Sequence, residues 1–383
     1  MSVVKVKLWK DKAFLNGEFQ DLRSISIKMP GYKKFVGDSL LFELSGKNIE
    51  CLLKEPSVEW SQDSKKIAEA HKIRLIDEEN SIATKRKWSG EKFEDFEFKS
   101  KPFDHQLKAL MLSKDKEYYG YFMEMGTGKT KVIIDNAAYL YGKKLINSLI
   151  ILAPNGVHAQ WIKEQLPEHL PEWVKHEAAI YRATEHSCLK SLAKLAKEKT
   201  DALKIIAFNI DALSSEKGGR VITSFLSNHN AMFVIDESVR IKTPSAIRTK
   251  WAIKLGELAK YRRIMSGAPV TKGTEDLFTQ FKFLHEDILG YSSYYTFRNN
   301  ACIMGGFENR QIVGYKPYAM QEIERKIEAH TFRITKKECL DLPDKIYSTR
   351  YVELTDEQAK IYDKLEEDLQ IDLDSIRQMK ELL

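Results

Sequence analysis

The chain has 383 residues, 43% of them hydrophobic and 30% charged, with 61 Lys and Arg against 55 Asp and Glu. That length corresponds to two or three domains, and so much apolar content at a net charge of only +6 excludes a disordered chain. No apolar run approaches the ~18 residues of a spanning helix, and Met1–Lys10 alternates apolar and basic residues where a signal peptide would be continuously apolar.

Cys51, Cys188, Cys302 and Cys339 lie far apart with no C-x-x-C, and the nine His are scattered, so neither a disulfide framework nor a zinc site is indicated. The thiols read as reduced, which points to an intracellular chain. Net charge is uneven: residues 1–100 carry +2, residues 101–320 carry +9 and residues 321–383 carry −5. A basic middle suits a phosphate-backbone partner, although many solvated enzymes carry as much.

Residues 1–90 read as a small β-rich α+β accessory domain. Val3–Trp9 alternates, Asn16-Gly17 predicts a hairpin turn, and Ile25–Met29 alternates again. A second turn is expected at Ser45–Asn48, between strands at Leu40–Leu44 and Ile49–Lys54. A helix follows, capped by Ser61 or Asp63, with Ile67, Ala68 and His71 on one face. The charged stretch Thr84–Ser100 reads as a linker or surface arm, with the boundary placed at 91–104.

From about residue 101, short apolar runs alternate with amphipathic stretches. The runs are Tyr119–Met123, Ser148–Ala153, Lys204–Phe208, Ala231–Ile235 and Arg263–Met265. Runs bounded by turn residues fit buried strands of a parallel sheet, with Lys131–Tyr141 and Ser187–Lys197 as crossover helices. The fold class is α/β, a doubly wound lobe over residues 105–345.

Glu124-Met-Gly-Thr-Gly-Lys-Thr130 lies between the first run and its helix, the strand–loop–helix order that a phosphate-binding loop requires. Met125 to Gly128 would turn backbone N–H groups toward phosphates, Lys129 would sit on the β- and γ-phosphates, and Thr130 would ligate Mg²⁺. Position 123 is Met where the full eight-residue pattern has Gly. The strand at Ala231 ends in Asp236-Glu237, at the carboxyl edge where open α/β sheets bind ligands. There Asp236 would hold Mg²⁺ and Glu237 would polarise the attacking water.

Together these blocks resemble the Snf2 family of superfamily-2 helicase-like ATPases, in particular its small phage and bacterial members. Phe103-Asp-His-Gln106 resembles the block whose Gln reads adenine, and Met125–Thr130 looks like motif I. Leu149–Asn155 with Trp161 resembles motif Ia, Ile205–Asn209 stands at motif Ib, and Asp236–Lys242 looks like motif II with its Ile-Lys extension. Ser266-Gly267-Ala-Pro269 resembles motif III, which couples hydrolysis to DNA contact, and Glu275–Phe278 continues it. Phe332–Glu338 resembles the segment after the lobe, and Val352–Tyr362 the connector to a second RecA-like lobe.

The resemblance implies a RecA-like lobe that binds ATP and Mg²⁺ and tracks duplex DNA without separating its strands, in the cytoplasm of a cell or of a phage host. Asn155, Gly156, His158 and Lys242 are the candidate DNA contacts. After Asp-Glu the family most often has a small residue and then His, where this chain has Ser238-Val239; the departure bears on polar coupling from the acidic pair to motif III and leaves the nucleotide site as expected. Motifs IV to VI do not follow within the 383 residues, so a second lobe would come from a longer polypeptide or a separate one. An arginine from that lobe is worth ~10³–10⁵ in rate, so little hydrolysis is expected of residues 1–383 alone. The alternative is a non-catalytic, nucleotide-switched module that binds DNA or a protein.

Five further features stay open at this point. Arg248, Lys250, Lys254, Arg262 and Arg263 could contact phosphate or line a solvated face. Tyr291–Tyr295 with Phe297 reads as core packing or a lobe interface ahead of base stacking. Residues 297–315, with Gly305-Gly306, read as a hairpin insertion, and 346–383 as a helical, acidic connector. Residues 1–90 could bind DNA, recognise a partner or brace the motor.

Overall fold

The computed structural model describes residues 4–381 apart from 10–11, 29–32, 38, 44–45, 91–92, 95, 183–191, 193–194, 196–199, 292, 310 and 341–347. Residues 4–59 form a five-stranded sheet in the order β3-β4-β2-β1-β5, from β1 (Val4–Trp9), β2 (Lys12–Asn16), β3 (Lys33–Val36), β4 (Ser39–Glu43) and β5 (Val58–Glu59). The first hairpin joins β1 to β2, so Asn16 ends a strand and Gly17 leads into a helix.

Two expected strands are helices. α1 (Phe19–Lys28) buries Leu22 and Ile25 while Ile27 is 78% exposed. α2 (Gly46–Lys54) buries Ile49 and Leu52. In each, the buried pair is spaced i, i+3, which is one helical face; the alternation that suggested a strand includes residues facing water.

α3 (Gln62–Arg86) starts at the expected cap, Ser61 Oγ accepting from Ser64 N at 3.2 Å, and runs beyond the expected linker boundary. It lies along the larger sheet's edge. Lys85 Nζ donates to Thr331 O at 3.0 Å, Ser81 Oγ to Ala329 O at 3.2 Å, and Arg86 pairs with Glu328 at 3.2 Å. The stretch expected as a linker is packed instead. Phe96 is buried, with its ring centroid 4.7 Å from that of Phe98 and 5.9 Å from that of Trp173.

The second sheet has seven strands, all parallel, in the order β14-β6-β11-β10-β7-β9-β8. Five match the apolar runs: β6 (Tyr118–Met123), β7 (Ser148–Ala153), β9 (Leu203–Asn209), β10 (Ala231–Asp236) and β11 (Tyr261–Met265). Cores on both faces bury them, as continuous apolar runs require. The unanticipated edge strands are β8 (His176–Ile180), which alternates in burial, and β14 (Thr331–Ile334). The helix expected at Ser187–Lys197 falls outside the described residues apart from Leu192 and Leu195. Expected insertion 297–315 is a helix, Tyr294–Ala301, followed by an antiparallel hairpin of β12 (Cys302–Gly305) and β13 (Gln311–Tyr315). Phe297 is fully buried and Tyr291 nearly so, placing the aromatic run in the core; Tyr295 is exposed.

Residues 341–383 form a separate compact unit whose described part, residues 348–381, is an irregular stretch followed by one long helix, Asp356–Glu381. Ile361, Tyr362, Leu365 and Leu369 are exposed on it. No described helix is long and apolar enough to cross a membrane.

Candidate nucleotide site

β6 ends at Met123, and the chain turns through Gly126 (φ 81°) and Gly128 (φ 84°) into α5 (Lys129–Gly142), with α4 (Asp104–Ser113) bonded to the turn. Both glycines hold left-handed backbone that a side chain would strain. Gly128 has a second reason to be glycine: a Cβ there would meet Gln106 Nε2 at 2.0 Å. Gln106, on α4, donates from Nε2 to Thr127 O at 3.1 Å and accepts Phe103 N on Oε1 at 3.0 Å. His105 Nε2 also lies 2.8 Å from Thr127 O. Two side chains of the adenine-type block thus hold the phosphate loop's backbone.

Lys129 is buried, its Nζ donating to Met123 O at 2.9 Å and Glu124 O at 3.4 Å. Burial lowers its pKa, and the charges of Glu237, Asp236 and Glu124 pull the other way. Thr130 is half-buried at the start of α5.

The acidic pair closes the other side. Asp236 ends β10, buried, and accepts Trp161 Nε1 at 3.0 Å on Oδ2. Burial raises its pKa; the Trp161 bond works against that and the Glu237 charge adds to it. Trp161 reaches it from a π-helical turn, Trp161–Gln165, inside the segment after β7. Glu237 has φ 52° and ψ 58°, a left-handed conformation unusual for a residue with a side chain. That turn aims its carboxylate at Ser266, whose Oγ donates to Glu237 Oε2 at 3.0 Å. Gly267 then packs on the phosphate loop: a Cβ there would meet Met125 Cγ at 3.2 Å and Met125 N at 3.3 Å.

Four blocks that are distant in sequence, at 103–106, 124–130, 236–238 and 266–269, therefore meet at the carboxyl edges of three adjacent strands, β6, β11 and β10. The family model for the SNF2-related domain matches residues 105–382. This chain belongs to the Snf2 family. An uncharacterized ATP-dependent helicase of Mycoplasma genitalium is 25% identical over 79% of this chain, and the mouse DNA excision repair protein ERCC-6 is 28% identical over 62%. The chain spans only 26% and 16% of those two relatives' lengths. A Sulfolobus solfataricus SWI2/SNF2 ATPase core, solved in complex with double-stranded DNA, aligns with a TM-score of 0.50 at 23% identity, covering 75% of this chain and 56% of that one. That likeness supports the Snf2 fold of the seven-stranded lobe.

The other candidate positions of this Snf2 chain are scattered more widely. Asn155 and Gly156 are exposed in the turn after β7, where Asn155 Oδ1 accepts Gly156 N at 3.1 Å. His158 is buried, its Nδ1 3.4 Å from Pro154 O, and burial lowers its pKa. Lys242 Nζ bonds Thr271 Oγ1 and lies 3.4 Å from Asp276 Oδ2.

Two basic candidates serve the fold instead. Arg263 is fully buried and donates to Lys116 O at 2.6 Å, Glu117 O at 2.8 Å, Ser113 O at 3.2 Å and Asn136 Oδ1 at 3.0 Å. Arg262 donates to Leu284 O at 2.9 Å and Ala259 O at 2.9 Å. These guanidiniums satisfy carbonyls at the ends of helices and turns, the groups that helix termini leave without partners. Arg248 pairs with Asp211 at 2.7 Å.

The places of Lys336 and Gln280 beside this site carry no signal in the sequence. Lys336 N donates to Glu124 Oε2 at 2.8 Å, and its Nζ would lie 3.8 Å from a Cβ on Gly126. A basic residue 210 positions from the phosphate loop carries no sequence signal of its place beside it; β14 pairing with β6 brings it there.

Proposed function

We propose that this chain is the Mg-ATP-binding first motor lobe of a DNA-dependent, Snf2-type ATPase that translocates on duplex DNA. The observation that carries it is the convergence of Lys129, Asp236, Glu237 and Ser266 on one edge of a parallel sheet. The residues fit the ligand: two left-handed glycines leave a backbone cradle with no Cβ, and a cation and two carboxylates face it across the sheet edge. Met125 to Gly128 and the start of α5 would donate N–H groups to the phosphates, Lys129 would swing from its carbonyl partners to them, and Gln106 would border the base. Thr130 and Asp236 would hold Mg²⁺, which when bound neutralises phosphate charge. Glu237 would orient a water, its carboxylate already held by Ser266.

Asn155, Gly156 and Lys242 would meet the DNA backbone, as the +9 of residues 101–320 favours. The described residues hold a single RecA-like sheet, so turnover by residues 1–383 alone is expected to be slow. The test is nucleotide binding and ATP turnover with and without duplex DNA, before and after adding a second-lobe polypeptide. Nucleotide binding that survives Lys129→Ala, or turnover that survives Glu237→Gln, would sink the reading.

A further inference from the structure

Ser238, the residue after Glu237, is fully buried, and its hydroxyl donates to Gln280 Oε1 at 2.6 Å. Gln280 is fully buried too, on the helix Leu277–Leu284, whose other buried side chains are mostly Leu and Phe. Its amide donates twice, to Pro269 O and to Asp276 O, both at 2.7 Å. Burying a hydroxyl and an amide is costly unless they are paired, and an apolar pair of equal volume would carry no such demand. What these two polar groups add is the set of bonds they make, and those bonds join parts that the site uses.

The connections form a ring. Glu237 bonds Ser266, the backbone runs from Ser266 to Pro269, Pro269 bonds Gln280, and Gln280 bonds Ser238 beside Glu237. The acidic pair cannot shift against the 266–269 loop without breaking one of these hydrogen bonds. The ring also reaches the DNA-facing side. Asp276, whose backbone carbonyl takes Gln280, receives Thr271 N, Lys272 N and Lys242 Nζ on its carboxylate.

We propose that Ser238 and Gln280 are positioning residues that tie Glu237 and the phosphate side of the lobe to the Lys242–Asp276 side, so that nucleotide and duplex DNA feel each other through them. The inference rests on the nucleotide and duplex-binding reading given above. It adds a second polar link between the acidic pair and the 266–269 loop, beside the Glu237–Ser266 bond, through a side chain 42 residues away in sequence.

The test uses the full chain with a short labelled DNA duplex, measured with and without Mg–adenylyl imidodiphosphate. The nucleotide is expected to change duplex affinity by at least about fivefold, the low end of ordinary coupling between sites. Ser238→Ala, Gln280→Met and the double variant should each bring that ratio to about one, while either ligand measured alone binds within about threefold of wild type. The double variant should lose no more than either single one, because both act in one chain of bonds. Folded variants with lowered melting temperature and an unchanged ratio would overturn the proposal, marking the pair as structural only. A wild-type ratio of one would overturn it as well. A wild-type chain that binds neither ligand fails the underlying reading, and this inference with it, whereas loss of nucleotide binding in Lys129→Ala alone shows that the reading stands.

Discussion

The two sheets of this protein differ in how they bury their strands. The inner strands of the seven-stranded sheet are covered on both faces, so β7, β9 and β10 read as apolar runs. The five-stranded sheet is antiparallel apart from β1 with β5, and its strands bury alternate residues, Val4 and Val6, Ala13 and Leu15, Leu40 and Phe42. Chemistry follows the same division. Every strand of the larger sheet points the same way, so its carboxyl edges gather loops from distant blocks into one cleft. Antiparallel neighbours send successive loops to opposite edges.

Substitutions in the two sheets should separate these roles. The largest effect is expected from Arg263→Ala, which strands several buried carbonyls in the larger sheet; about 4 kcal/mol of stability should be lost, read by chemical denaturation. Leu15→Ala, in the core of the smaller sheet, should cost about 3 kcal/mol. Nucleotide affinity should nevertheless be unchanged in folded Leu15→Ala protein; a parallel loss of binding would mean that the smaller sheet shapes the site. Lys129→Ala should leave stability near wild type and lower nucleotide affinity about a hundredfold, near 2.7 kcal/mol by titration calorimetry.

The smallest effect probes where α3 meets the larger sheet. Glu78 is buried beside His330, 3.4 Å away, and its pKa lies below the ordinary carboxylate value. Burial pushes it up, but the His330 hydrogen bond and the charges of His330, Arg74 and Arg325 outweigh that. A depressed carboxylate stabilises the fold above its unfolded value and loses that contribution as pH falls through the folded one. Glu78→Gln should therefore cost about 1 kcal/mol at neutral pH. The difference from wild type should vanish in acid, read as melting temperature against pH. A constant difference at all pH values would assign the loss to packing.

Legibility tracked local pattern closely. The glycine-rich loop of the candidate site stood out because Gly126, Gly128, Lys129 and Thr130 fall within five positions, between a strand and a helix. Asp236-Glu237 was readable because a carboxylate pair ends an apolar run. α1 was misread because Ile25 and Ile27 alternate like a strand, while Leu22 and Ile25 make a helical face; only packing against the sheet selects between them. Arg262 and Arg263 looked like surface cations, because a guanidinium that bonds backbone carbonyls has no partner visible in sequence. Phe93 to Phe98 looked like a linker since its charges dominate composition, yet its rings reach the lobe's core.

The sequence by itself determined the α/β class of the larger lobe and five of its seven strands, and it singled out the residue types of the candidate nucleotide site, because each depends on neighbours within about ten positions. Tertiary structure decided what those residues touch. It set Gln106 on the phosphate loop, Trp161 on Asp236, Lys336 beside Gly126, and Ser238 on Gln280. Those contacts bridge 21 to 210 residues, and they exist because parallel pairing brings the ends of β6, β10, β11 and β14 side by side. A hydrogen bond's worth depends on burial and on a partner within about 3 Å, and neither is written in the local chain.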